Sequence, residues 1–272
     1  MTWLDRQGFL GPNSVNVLTA MTVGVVGLSG GGSPIVQQLA HAGAGGFVAV
    51  DHDRATKSNR NRLVGMTPWD GLLRRRKATM AKRLIRRVNP RARVVALPTR
   101  WEDATDALLT CDLILGAVDT FKARAELEAF CRAHLIAYCD VGMDVHDLPE
   151  GGYLVGGQVA LSLPGDLCLW CMGLLTEERL AQEASRYGRA GPAPQVVWTN
   201  GLLASMAVNL VMQLFTPWSG LPIRSTCIEL DANRSSLGPS HKVRCLEGVV
   251  CRHYPLIEAG SPLFDLRALP KH

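Results

Sequence analysis

In VGVVGLSGGGSPIVQQLAHAG, residues 23–43, a β-branched run passes straight into a loop with four glycines in six positions, then into an amphipathic helical pattern. That order leaves free backbone N–H groups at a helix start, where a nucleotide phosphate binds readily. The usual spacing is G-x-G-x-x-G; Gly27, Gly30 and Gly32 are here, with Gly31 beside them, and Ser29 replaces the middle glycine. Serine is small enough to allow close approach, and the extra glycines add freedom. Asp51 ends the next β-branched run, 24 residues after Gly27, close to the ~20 at which a carboxylate accepts hydrogen bonds from a ribose. A tight turn with a capping aspartate is the bland alternative. Asn59 and Arg62 follow in VDHDRATKSNRNRLVG, residues 50–65. Hydride transfer has no use for them there, whereas cleaving a triphosphate needs amides and cations around the departing charge.

Placing these groups together requires a particular framework. Up to about residue 149, short β-branched runs alternate with helical stretches, which implies parallel strands joined by crossover helices. The expectation is a doubly wound, Rossmann-like α/β sheet, with mixed or antiparallel strands in the C-terminal part. After residue 150 come glycine-bounded strands, a helical stretch at 176–187, a Gly/Pro loop at 189–195 and an apolar helix at 196–215. One domain over 1–272 is expected, with a nucleotide-binding half at 1–150 and a half at 151–272 for substrate, zinc and dimer contacts.

With 47% hydrophobic and 19% charged residues and a net charge of +5, the composition excludes disordered and fibrous classes. The basic runs at 74–77 and 82–87 lack the interleaved aromatic residues of a base-stacking surface, so a solvated helix face is favoured over nucleic acid. Asp5 and Arg6 interrupt any secretory signal, which points to the cytoplasm. Asn200, Asn209 and Gln213 make 196–215 a buried or interface helix in preference to a membrane span, so no membrane partner is expected.

The stretch 50–65, with the glycine loop before it, resembles the ThiF/MoeB/HesA family and the adenylation domain of ubiquitin-activating enzymes, where it reads approximately D-x-D-x-V-x-x-S-N-L-x-R-Q. Asp5-Arg6-Gln7 looks like the family's R-Q element, whose arginine reaches a partner subunit's nucleotide site. Lys77 matches a phosphate-binding lysine, and Asp119 a magnesium-holding aspartate in T-D-N-x-x-x-R, with Thr120 in place of asparagine and Arg124 retained. The register covers roughly residues 5–215. The resemblance implies a homodimer that uses ATP and Mg2+ to adenylate the C-terminal glycine carboxylate of a ubiquitin-like or sulfur-carrier protein. A conjugating enzyme or sulfurtransferase would act downstream. Arg6, Arg62, Lys77 and Asp119 would stabilise the charge that develops. Two rivals are an NAD(P)-dependent oxidoreductase and, if Ser29 and Thr120 mark a degenerate site, a non-catalytic nucleotide-binding subunit.

Eight cysteines without an export signal point to reduced thiols or a metal. Cys168 and Cys171 have the spacing that serves one tetrahedral zinc. Family members often carry a second C-x-x-C near the C-terminus. Cys245 and Cys251 are the corresponding pair, departing from that spacing, with His241 and His253 as substitutes. Four closed ligands would make the site structural. Cys139, beside Asp140 at a strand end, is retained as a candidate nucleophile, whereas no cysteine lies between Cys171 and Cys227.

Overall fold

The structure, a computed structural model, describes residues 3–186, 194–223, 226–246 and 248–255, so the expected Gly/Pro loop lies mostly outside the described residues. A 3-10 turn (Asp5–Leu10) and α1 (Ser14–Ala20) come first. The alternating part is β1 (Thr22–Val26), α2 (Gly32–Ala42), β2 (Gly46–Val50), a 3-10 turn (Lys57–Asn61), α3 (Pro68–Leu72), α4 (Lys77–Val88) and β3 (Arg93–Leu97), then α5 (Thr105–Leu108), β4 (Leu113–Gly116) and α6 (Phe121–Ala133). The C-terminal part adds β5 (Ala137–Asp147), β6 (Tyr153–Ser162), α7 (Glu177–Arg186), α8 (Val197–Phe215), β7 (Cys227–Asp231), β8 (Ser236–Pro239) and α9 (His241–Arg244).

The eight strands form one sheet in the order β3-β2-β1-β4-β5-β6-β7-β8. Strands β1 to β5 pair in parallel, while β6, β7 and β8 join antiparallel, as the sequence pattern implies. Position 150 falls in the turn between β5 and β6, whose register runs from Tyr138↔Ser162 to Asp147↔Tyr153. Both halves of the chain therefore share one sheet.

Helices α2 and α8 cover one face. Ile35 and Leu39 of α2 meet Val23 and Val25 of β1 and Leu203, Ala207 and Val211 of α8 in one buried cluster, and each fully buried Leu or Ile stabilises by roughly 1.5–3 kcal/mol. The left-handed Gly43 (φ 95°) ends α2, its N–H donating to the Ala40 carbonyl. By length and composition α8 could cross a membrane, yet half of it is buried against α2 and the sheet, where it serves as a core helix. Leu127, Phe130 and Cys131 of α6 pack over Ile114 and Tyr138 on the opposite face.

One ion pair ties α3 to the middle of α4. Thr67 and Asp70 form a capping box around α3, and the buried Asp70 carboxylate also accepts from Arg83 Nη1 and Nη2 at 2.7 and 2.6 Å. The Arg83 hydrogen bonds hold the Asp70 carboxyl well below the usual carboxylate range. A depressed folded value contributes stability above the unfolded value and loses it as pH falls. Asp70→Asn, which keeps the cap and removes the charge, should cost about 1–3 kcal/mol at neutral pH, discounted because Arg83 is partly in water. Urea unfolding should show that deficit shrinking only below about pH 4.

Candidate active site

The glycine loop lies at the carboxyl ends of β1 and β4, where open parallel sheets bind ligands. Gly27 has φ 86° and donates its N–H to the Val50 carbonyl at 3.0 Å. A Cβ there would strike the Ala117 backbone, and one at Gly32 would strike the Gly27 carbonyl. No side chain caps the first turn of α2. The Ser29 carbonyl accepts from Ser33 Oγ at 2.6 Å, and that hydroxyl accepts from Val64 N at 2.9 Å, which ties the loop to the segment carrying Asn59 and Arg62.

Asp51 is buried and engaged through both oxygens, Oδ2 accepting from Leu28 N and Oδ1 from Asp53 N, each at 2.8 Å. Burial raises its pKa, opposed by the Lys77 charge and the two N–H groups. Remaining lone pairs leave it able to accept from a ribose. The Lys77 ammonium, 7% exposed, stands 3.9 Å from Asp51 and 2.7 Å from Asp53 Oδ2. Burial alone would raise the Asp53 carboxyl, but the Lys77 hydrogen bond and charge bring it below the ordinary value. Asp53 was not singled out from the sequence, although the Asp51-x-Asp53 spacing was its visible signal.

Buried Asn59 accepts from Thr56 N at 2.8 Å and so shapes its own turn. Arg62 Nη1 donates to the Ser58 carbonyl and to Asn61 Oδ1, both at 3.0 Å, while its buried Nε has no hydrogen-bond partner among the described residues. Asn61 Nδ2 reaches the Gln195 carbonyl at 3.1 Å. A Cβ on Gly30 would lie 2.6 Å from Asn200 Nδ2 and 2.8 Å from Gln195 Oε1, so the start of α8 closes over the loop. No periodicity or spacing pointed to Gln195 or Asn200 as loop neighbours.

Exposed Asp119 precedes α6, just beyond Ala117, whose N–H is bonded to the Val26 carbonyl. Thr120 caps α6, and Glu183 of α7 accepts from Phe121 N and Lys122 N at 3.0 Å each. Arg124 pairs with buried Asp140 at 3.2 Å, and Tyr138 donates to the same carboxylate at 3.1 Å. This contact pins α6 to β5 and so sets where Asp119 stands. Cys139 is corrected as a nucleophile: it is wholly buried with Leu115 and Val141, and burial pushes its thiol far up, removing the reactive thiolate.

Arg6 is exposed and lies apart from these groups. Its neighbour Gln7 donates to the His41 carbonyl at the far end of α2, and the 11 residues of that helix span about 16 Å.

Among the described residues, Cys168, Cys171, Cys251 and His253 form a set that could hold a metal ion, their ligand atoms lying within 4.8 Å of one another. Cys168 Sγ is 3.5 Å from Cys171 Sγ, and His253 Nδ1 is 3.4 and 3.3 Å from those sulfurs. A tetrahedron with zinc–sulfur bonds of about 2.3 Å has edges of roughly 3.7 Å, so the spacing fits. Cys245 is corrected: it is exposed at the end of α9, and its thiol turns back to the His241 carbonyl at 3.4 Å, so His253 takes its place. For Cys251, burial is outweighed by the N–H of Tyr254 and by Cys168, which lowers its pKa, whereas burial pushes the neighbouring Cys168 thiol far up. Beneath the pair, Arg132 donates to the Asp166 and Leu167 carbonyls, and Glu128 accepts from Leu169 N at 2.8 Å, which anchors the loop to α6.

A model of the ThiF family matches residues 4–247. Ubiquitin-like modifier-activating enzyme 5 of Drosophila willistoni is 27% identical over 203 residues, covering 69% of this chain and 48% of that protein. The sulfur carrier protein adenylyltransferase of Thermus thermophilus is 37% identical over 117 residues, 42% of each. The sulfur carrier protein ThiS adenylyltransferase of Escherichia coli is 30% identical over 202 residues, 71% of this chain and 73% of that one. The chain thus spans about half the length of the first two curated relatives. Among solved structures, E. coli MccB with ATP shares the fold, with a TM-score of 0.69 and 19% identity over 88% of this chain and 72% of that one. Metal analysis of purified protein should give a bound transition metal that Cys251→Ser or His253→Ala removes and Cys245→Ser leaves in place.

Proposed function

This chain belongs to the ThiF family, and on that premise we propose that it adenylates the C-terminal glycine carboxylate of a ubiquitin-like or sulfur-carrier protein. The observation that carries the reading is the buried Lys77 ammonium, 3.9 Å from the Asp51 carboxylate at the mouth of the glycine loop. A nicotinamide site has no need of that cation, whereas phosphoryl transfer does.

The residues fit a nucleotide triphosphate. The glycine loop admits no Cβ at Gly27 or Gly32, the first turn of α2 has no side-chain cap, and Arg62 Nε, without a partner among the described residues, is a further donor. Asp51 would accept from the ribose, with Gly27, Ser29, Gly30 and Gly32 along the phosphates and Asn59, Arg62 and Lys77 on the transferred charge. Lys77 would exchange Asp53 for a phosphate oxygen. Magnesium, which Asp119 would hold, supplies charge neutralisation on the phosphates. The substrate carboxylate forms a bond to the α-phosphorus as the bond to pyrophosphate breaks, giving acyl-AMP. The attacking group is already ionised, so no general base is required.

Arg6 can serve a nucleotide site only in a second subunit, because its own lies beyond the length of α2; this supports a homodimer. The four-ligand site would hold zinc, with no open position for chemistry. The activated acyl group would pass to a downstream conjugating enzyme or sulfurtransferase, in the cytoplasm.

The test is pyrophosphate exchange into ATP with magnesium and a panel of glycine-ending ubiquitin-like proteins. Exchange should depend on one partner and fall on the order of 100-fold or more in Asp119→Ala. Nucleotide binding without exchange for any partner would favour the non-catalytic subunit. Arg6→Ala should also lose exchange while still binding ATP, and mixing it with Asp119→Ala should restore part of the activity through dimers with one complete site. Mixtures as inactive as either variant alone would refute the trans arginine.

A further inference from the structure

Residues 54–100 carry 15 of the 29 Lys and Arg residues but only one, Asp70, of the 24 Asp and Glu residues. The rest of the chain has 14 basic residues against 23 acidic ones, so the mild net charge of +5 conceals a strong polarisation. Asp70 is itself neutralised by Arg83, with Arg75 at 3.4 Å. On the same segment, Trp69, Leu72 and Leu73 are 67%, 71% and 59% exposed. Their spacing puts them on one side of the short helix, while Asp70 between them is buried against α4. The apolar ridge therefore stands on a fixed base. One turn further along α4 from Arg83, Arg86 and Arg87 are exposed, and Arg74 is exposed at the end of the ridge. None of these three enters an ion pair among the described residues.

The chemistry of this face limits what can cover it. Apart from the buried Asp70, the stretch PWDGLLRRR at 68–76 offers apolar and cationic side chains and no hydroxyl or amide. A nucleic acid would need more than one aromatic platform, and a protein partner would need an acidic patch matched to these arginines around an apolar groove. An anionic lipid surface needs neither: Trp and Leu enter the headgroup boundary and arginines meet the phosphates.

We propose that α3 and the outer face of α4 form a peripheral docking face for anionic membranes, with Trp69, Leu72 and Leu73 inserting and Arg74, Arg86 and Arg87 on the headgroups. The inference is independent of the adenylation reading. The expectation of no membrane partner rested on the absence of a span, and this face requires none.

Co-sedimentation of the full chain with phosphatidylcholine vesicles, with and without phosphatidylserine, tests it. Binding should occur only with phosphatidylserine and weaken with salt. Arg86→Glu with Arg87→Glu should weaken it on the order of tenfold or more, and Trp69→Ser with Leu72→Ser should abolish it, with circular dichroism confirming that each variant folds. Failure to bind anionic vesicles at low salt overturns the proposal, as does binding that either pair of substitutions leaves unchanged. A Trp69→Ser, Leu72→Ser variant that loses its oligomeric state also overturns it, because the ridge would then be a contact between copies.

Discussion

A carboxylate removed from water must be surrounded by donors, and Asp51 imposes that requirement where three segments of the chain meet. Its oxygens take the Leu28 and Asp53 N–H groups, and the Lys77 charge completes the compensation. Satisfying one buried charge thereby sets the glycine loop against β2, shapes the Asp51-His52-Asp53 turn and brings the start of α4 to the same place. Asp53, by taking Lys77 at 2.7 Å, keeps that cation from standing uncompensated.

The opposite wall of the site depends on a second buried charge arrangement. Arg124 and Tyr138 converge on Asp140, and α6 is thereby locked to β5 at the level of Asp119. The same helix carries Glu128 and Arg132 one and two turns further on, and their contacts with Ser162 and the backbone at 166–169 hold the loop of Cys168 and Cys171. Burial pushes the Glu128 carboxyl up to about 7, the mark of a group kept for its contacts in an apolar setting. The segment of Asp119 and the Cys168–Cys171 loop thus lie at the two ends of one helix.

The long helix α8 closes the arrangement. Its apolar length fills the groove between α2 and the antiparallel strands, while Asn200 in its first turn and Gln195, two residues before it, lie across Gly30. A helix buried for packing consequently also forms the roof of the crevice, and Asn200 and Gln195 become neighbours of any ligand in the loop.

Much of this was legible in order along the chain. The alternation of β-branched and helical runs, the glycine loop, Asp51 and the Cys168–Cys171 pair are local patterns, because strand period, turn conformation and two-residue ligand spacing are properties of contiguous residues. The fourth metal ligand was not local: Cys245 and His253 were both available by composition, and only the path of the chain after α9 turns one thiol onto a helix carbonyl and carries the imidazole to the other sulfurs. Cys139 was placed at a strand end but lies inside a strand, since β5 continues to Asp147 and is flanked by partners on both sides. The sequence by itself determined the type of sheet, the glycine loop and the kinds of charge near it. Tertiary structure alone decided which carboxylate holds Lys77, which residues roof the loop, which histidine joins the cysteine cluster and that the segment of Arg6 sits at the far end of α2. Those are distances between segments far apart in sequence, and no local pattern encodes them.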